Sequence, residues 1–250
     1  MKRLFILMAC ALTLGAAANV SAQEIIVRNG RNKTVKGSGK TVTENYNPGK
    51  FYGIKSGSGI NVEIKYGSSH TVDVTTDRNV VDYLSISVKN GILHVGYQNN
   101  INVRNIRTTV YVTMPELESL EASSGSDIRL MDNFTGSRLT VDASSAAGIA
   151  GSVDYENIRV SASSGGSVKL NGKAATCKAS ASSGGSVNMS EMRSVKADVS
   201  ASSGGSVGIY ATESITGKAS SGGHIRYAGN PRNMDIRTSS GGTVGMIKRS

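Results

Sequence analysis

Residues 158–170 read Ile-Arg-Val-Ser-Ala-Ser-Ser-Gly-Gly-Ser-Val-Lys-Leu, and this stretch decides the fold. Ile158, Val160 and Ala162 alternate with Arg159, Ser161 and Ser163, the period of a strand that buries one face. The same parity runs through Ser164 and Gly166 to Val168 and Leu170, leaving Ser167 and Lys169 outside. The kernel Ala-Ser-Ser-Gly-Gly-Ser-Val recurs verbatim at residues 162–168, 181–187 and 201–207, with looser copies starting at Ala122, Ala143, Ala219 and Thr238. The first serines fall at 123, 144, 163, 182, 202, 220 and 239, a period of 18 to 21 residues. Such a period marks a stack of equivalent coils.

Neighbouring copies keep the phase. Cys177, Ala179, Ala181, Val187 and Met189 share the inward parity, as do Ala197, Val199, Ala201, Val207 and Ile209; Lys178, Ser180, Asp198 and Ser200 face outward. Each unit reads as a short strand, a small-residue corner, a second short strand and a variable return segment. A unit this thin cannot bury its apolar side alone, so the units stack. Equivalent strands then pair in parallel about 4.8 Å apart. Glycines suit the corner because they accept positive φ and close backbone approach. The serine hydroxyls are expected to bond from coil to coil. The expected fold is all-β: a parallel β-helix of about 19-residue coils, for which the rule for parallel crossovers favours the right hand, with a left-handed solenoid as the alternative, although its strict six-residue rhythm is absent. Helix is disfavoured by the Gly and Ser content and by the lack of a 3.6-residue apolar period.

Working outward, the chain starts Met1-Lys2-Arg3, continues with an apolar run over residues 4–14 and reaches Val20-Ser21-Ala22. That is the layout of a secretory signal peptide cleaved after Ala22. The rival reading, a lipoprotein signal at Leu7-Met8-Ala9-Cys10, leaves too short an apolar segment. Cleavage would remove Cys10 and leave Cys177 as the single cysteine, so no internal disulfide is expected, and its inward parity suits a small buried hydrophobe. The expected organisation is signal peptide 1–22, extended basic leader 23–43, strand-rich region 44–115 and repeat β-helix 116–250. Strands are expected at 60–66, 70–75, 84–88, 92–97 and 108–113, with Asn90-Gly91 as a two-residue hairpin turn. This region would cap the solenoid, whose first coil otherwise exposes an apolar end and unpaired edges. No later segment is long and apolar enough for a membrane span, and the chain is too short for a large membrane barrel besides the coils.

The stretch Phe51-x-x-Ile54-x-Ser56-Gly57-Ser58-Gly59-Ile60-Asn61-Val62-Glu63-Ile64 resembles the head GIN domain (DUF2807) of auto-transporter adhesins common in Bacteroidetes, with Gly59, Ile60 and Asn61 as the triplet. Val72-x-Val74 with Asp77, Val88-Lys89-Asn90-Gly91-x-Leu93, and Val110-Tyr111-Val112-Thr113-Met114-Pro115-x-Leu117-x-x-Leu120 extend the resemblance, and the Ser-Gly repeats complete it. It covers residues from about Val42 to the C-terminus. The resemblance implies a secreted β-helical adhesin; it carries no catalytic residues, and it treats the triplet as structural.

Chemistry is sparse. His70, His94 and His224 are far apart in sequence and lack the close partners of a zinc site. Calcium-binding repeats need a recurring Asp, and only Ser126-Asp127 places an acid in a corner. No phosphate-binding loop is present. Glu116, Glu118 and Glu121 are the densest acids and read as a solvated face; the short return segments leave little material for a cleft wall. The net charge of +10 is spread over Arg28, Arg31, Lys33, Lys36 and Lys40, then Arg104 and Arg107, then Arg159, Lys169 and Lys178. Without a compact basic patch or stacking aromatics, nucleic acid is not an expected partner. Tyr46, Tyr52, Tyr66, Tyr83, Tyr97 and Tyr111 gather in the N-terminal region. The segment 98–105, Gln-Asn-Asn-Ile-Asn-Val-Arg-Asn, has the polarity of a recognition loop. Tyr97, Asn99, Asn100, Arg104 and Arg107 are therefore the candidate ligand surface. The expected function is non-enzymatic: an exported envelope or surface protein, in the periplasm, at the cell surface or outside, that binds a glycan or an envelope or host surface component. No cofactor, metal or catalytic residue is expected, and self-association would use the β-helix edges. The alternatives are a glycan-active lyase or hydrolase and a structural envelope scaffold.

Overall fold

A single coil can neither cover its apolar face nor pair its backbone edges, and the chain meets both demands with one long stack. The computed structural model describes residues 26–29 and 32–247; the signal peptide expected at 1–22 lies outside them. β1 (Ile26–Asn29) and β2 (Asn32–Lys36) precede β3 (Thr41–Tyr46), β4 (Gly53–Ser56), β5 (Asn61–Tyr66) and β6 (Thr71–Asp77). A 3-10 turn at Arg78–Tyr83 leads to β7 (Leu84–Lys89), β8 (Ile92–Tyr97), β9 (Ile101–Arg104), β10 (Thr109–Met114) and β11 (Ser119–Ala122). The coils follow: β12 (Asp127–Ala143), β13 (Gly148–Ala162), β14 (Ser167–Ala181), β15 (Ser186–Ala201), β16 (Ser206–Ala219), β17 (His224–Ala228), β18 (Asn233–Thr238) and β19 (Thr243–Met246).

The result is a parallel β-solenoid of about 7 turns. Every neighbouring pair from β11 to β16 is parallel, in the register the repeat implies: Ala143 pairs with Ala162, Ala162 with Ala181, and Ala181 with Ala201. One contiguous apolar cluster runs from Phe51 to Ile225 and contains Cys177, Ala179, Ala181, Val187 and Met189. Outside, Lys178 and Asp198 are register partners and form an ion pair at 3.3 Å.

Two details differ from the sequence expectation. The return segments are not separate loops, because β12 to β16 run for 14 to 17 residues from one corner to the next. The backbone goes on pairing through two bends per coil, where inside-outside alternation lapses, as at Glu156 and Asn157, and where register shifts fall, as between Met189 and Arg193 and between Ser194 and Lys196. Each coil therefore has three straight runs, the first beginning just after the corner. The second difference is Ser164, which is exposed rather than inward. Ser164 (φ 49°) and Gly165 (φ 74°) both occupy the left-handed region, so the chain reverses as in a type I′ turn and throws the serine out.

The bonds between corners run through the backbone. Gly165 N donates to Ser183 O at 3.2 Å and Gly184 N to Ser203 O at 3.2 Å, while Gly166 N closes its own turn on Ser163 O at 2.8 Å. The two glycines of each corner serve different ends. The first takes positive φ with open space around it; the second lies so close to the previous coil that a Cβ on Gly185 would sit 2.4 Å from Ala162 O. Further up the stack this second position holds Ile60, Ser126 and Ala147, all buried. Ser126 Oγ fills its corner by donating to Ser56 O at 3.0 Å.

The same turn opens the stack. Ser58 (φ 61°) and Gly59 (φ 73°) adopt the corner conformation, and Gly59 N donates to Ser124 O at 3.0 Å. Gly59-Ile60-Asn61 is thus the first corner, with β4 and β5 as its two arms. Those arms lie inside the stack: β4 is held between β8 and β11, and β5 between β10 and β12, all in parallel. Above them pairing turns antiparallel, β8 with β7 around Asn90-Gly91 and β10 with β6, which pairs in turn with β3. This is the cap that the N-terminal region was expected to supply. The leader segment pairs as well, β1 with β2 and β2 with β9 in a separate three-stranded sheet. At the opposite end, among the described residues, Met234 and Met246 are 48% and 56% exposed.

Two substitutions separate the corner's demands. Gly184→Ala meets only the left-handed strain and should cost about 1 kcal/mol. Gly185→Ala must push Ala162 O aside and should cost about 3 kcal/mol. Denaturant midpoints should fall in that order; equal losses would mean that close stacking does not constrain the corner.

Candidate functional site

Three surfaces bring polar side chains together. The first is the outward side of the first runs. Register places Arg129, Ala150, Lys169, Asn188, Gly208 and Arg226 in one row along the solenoid axis. Beside it runs a second row of Asp127, Gly148, Ser167, Ser186, Ser206 and His224. Where the side chains shrink to Gly148 and Ala150 the surface drops into a depression of about 380 Å³, also lined by Asn61, Glu63, Asp127, Arg129, Ser167 and Lys169. A second depression of about 250 Å³ lies over Gly208, bordered by Asn188, Ser206 and Arg226. Asp127 leans into the first: a Cβ on Gly148 would lie 2.2 Å from its Oδ1. Tyr111, 44% exposed, follows in the first row beyond Glu63, the register neighbour of Arg129. Among the described residues no ion pair involves Arg129, Lys169 or Arg226.

The second surface is the bend between the second and third runs. Two adjoining depressions, about 740 and 480 Å³, share Thr135, Gly136, Tyr155 and Glu156. The larger has an apolar floor of Ala174, Ala175 and Val195; the smaller brings together Glu116, Glu118, Glu156 and Arg138. Those three carboxylates are exposed. Tyr155 is anchored, its hydroxyl donating to Leu117 O at 2.6 Å and its ring lying where a Gly136 side chain would go. Burial, and secondarily Glu118, pushes its phenol well above the usual range.

The third surface carries Tyr97, Asn99, Asn100, Arg104 and Arg107, and here the structure divides the candidate residues. Asn99, Asn100, Arg104 and Arg107 are exposed. Tyr97 packs against the core, and its hydroxyl bonds Thr108 Oγ1 at 2.8 Å, which bonds Thr76 Oγ1 at 2.7 Å. Desolvation raises its pKa. Its ring therefore serves the cap; Asn99 and Asn100 form the turn beyond it, Arg104 ends β9 and Arg107 lies in the connection that follows. Of the family triplet, Gly59 shapes the corner and Ile60 is buried, while Asn61 faces outward into the 380 Å³ depression.

The histidines stay apart. His70 packs edge-on against Phe51 and bonds Phe51 O at 3.0 Å, and His224 bonds Thr243 Oγ1 at 2.6 Å. Among the described residues no group of three or more His, Cys, Asp or Glu could hold a metal ion. Cys177 is fully buried, and desolvation drives its thiol up to about 12 despite the opposing pull of the nearby Ser194 hydroxyl. At neutral pH it is an inert core residue.

A family described as "Putative auto-transporter adhesin, head GIN domain" matches residues 50–231. Among solved structures, a "putative adhesin" from Bacteroides fragilis superposes with a TM-score of 0.79 at 21% identity, covering 85% of this chain and 99% of its own. A "putative adhesin" from Parabacteroides merdae gives 0.72 at 21%, covering 86% and 99%. A "Putative lipid binding protein" from Parabacteroides distasonis gives 0.64 at 17%, covering 86% and 100%. At these identities the likeness is one of fold. No curated protein matches.

The Cys177 thiol sets a pH dependence. Its folded pKa lies above the ordinary value of 9.0, so its contribution to stability is complete below pH 9 and is lost as pH rises through the interval from 9 to about 12. The loss is at most about 1.4 kcal/mol per pH unit. Cys177→Ala should be less stable than the parent at pH 7, and the gap between their denaturant midpoints should narrow steadily above pH 9. A constant gap would show that the thiol does not titrate with unfolding.

Proposed function

Because the chain belongs to the head GIN domain family, we propose that it is an exported surface protein that binds its ligand without transforming it, along the outward side of the first runs. The observation that carries this reading is the straight row in which two depressions alternate with cationic side chains that form no ion pair among the described residues. Small-molecule pockets are usually enclosed and mostly apolar. This trough, a row of depressions on the outer face, mixes polar with apolar lining and runs parallel to the solenoid axis, which suits an extended glycan or a surface component presenting one. Asn61, Asp127, Ser167 and Lys169 supply donors and acceptors for hydroxyls, and exposed Tyr111 offers a ring face for a sugar. Among the described residues no helix is long and apolar enough to cross a membrane.

One observation favours an enzyme instead: Glu116, Glu118 and Glu156 share a depression with Arg138. A glycosidase needs two carboxylates in unlike environments across a scissile bond; these three are all solvent-exposed.

A glycan screen with product analysis separates the readings. Ala150→Trp fills the first depression and should lower binding at least about tenfold, the loss of some 1.4 kcal/mol of contact. Ala175→Trp, in the other groove, should leave binding unchanged. Turnover of any bound polysaccharide that disappears in Glu156→Gln would sink the binding reading in favour of the enzyme.

A further inference from the structure

Resting on the reading of the trough as a glycan site, we infer that it selects a linear polysaccharide with an acidic group on every second sugar, laid along the solenoid axis. Arg129 and Lys169 stand two coils apart in one row, with only the Ala150 methyl between them. Two coils advance about 10 Å, roughly the span of two extended pyranoses. A chain whose acids recur at that interval meets Arg129 and then Lys169. Its third acid falls over Gly208, in the second depression, with Arg226 one coil further on. The intervening sugars lie over Ala150 and Asn188, neither of which is charged.

Asp127 makes the interval selective. Its carboxylate reaches over Gly148, beside Ala150 in the adjoining row. A hydroxyl on the intervening sugar can donate to it. A second carboxylate at that place would meet like charge, and such a repulsive element is what separates two related ligands. Ser167, Ser186 and Ser206 carry on the same neutral, hydroxyl-accepting side of the trough. The scaffold thus reads charge spacing rather than charge density, because its ruler is the fixed distance between coils.

The test compares three probes on the exported full chain at near-physiological ionic strength, where unspecific attraction is screened: hyaluronan, with an acid on alternate sugars; polygalacturonate, with an acid on every sugar; and neutral dextran. Hyaluronan should bind at least about tenfold more tightly than either of the others. Arg129→Ala and Lys169→Ala should each weaken it by a similar factor, with thermal melts unchanged because both side chains are exposed. Asp127→Asn should tighten polygalacturonate and narrow the difference. Polygalacturonate binding as well as hyaluronan to the parent chain, or hyaluronan binding that ignores Lys169→Ala, would overturn the inference. If dextran binds equally and Ala150→Trp abolishes it, the trough stands and the acidic selectivity falls. If Ala150→Trp changes nothing, both fall. Binding of none of the three also overturns the inference, leaving the trough to be judged by the wider screen.

Discussion

A glycine amide reaching the serine carbonyl of the next coil is the interaction on which the rest depends. It repeats from Gly59 to Gly222 at 3.0 to 3.2 Å, with Ala146 in place of glycine in one coil, and it forms where two successive residues accept the left-handed conformation. That requirement fixes where each coil turns, and the turn fixes register. Register then decides which residues share a row, so the proposed binding surface follows from the corner. Close stacking at the second glycine sets a further limit, since a larger residue there must find room, as Ser126 does by bonding Ser56 O.

The repeat made the fold readable, because the period shows across the copies and the parity within each one. Val168, Cys177, Ala181 and Val207 are inside as their parity requires. Ser164 is not, because parity assumes extended backbone and fails where φ turns positive. The return segments looked irregular because two bends shift the alternation without breaking the pairing. The trough was harder to see, since its residues belong to different repeats and none is conspicuous alone. Aligned on their first serines, the units show Arg129, Ala150, Lys169, Asn188, Gly208 and Arg226 in one column, six residues further on. That column was available in the sequence; its depth was not, because depth depends on which neighbours are small. The loop bearing Asn99 and Asn100 drew attention by its polarity, and the tie between Tyr97 and Thr108 emerged only in three dimensions.

A solenoid suits recognition of extended ligands because its side chains come at one regular interval, with little conformational freedom in the backbone beneath them. Preorganisation of that kind lowers the entropic cost of binding. It also lets single substitutions retune a row without disturbing the stack, as outward residues contribute little to the core.

The first corner sits between strands that follow it in the chain, β4 between β8 and β11 and β5 between β10 and β12. For a polypeptide that emerges N-terminus first, this placement has a kinetic consequence. Residues 53–66 cannot acquire both neighbours until residues as late as 130 have been delivered, so the head must wait, partly unpaired, for its own continuation. The coils behind it close on partners about 19 residues away, and contacts that local form quickly. Order should therefore spread from the repeats back towards the head, and the interval in which β4 and β5 stand open is when the chain is most exposed to pairing with the wrong strand.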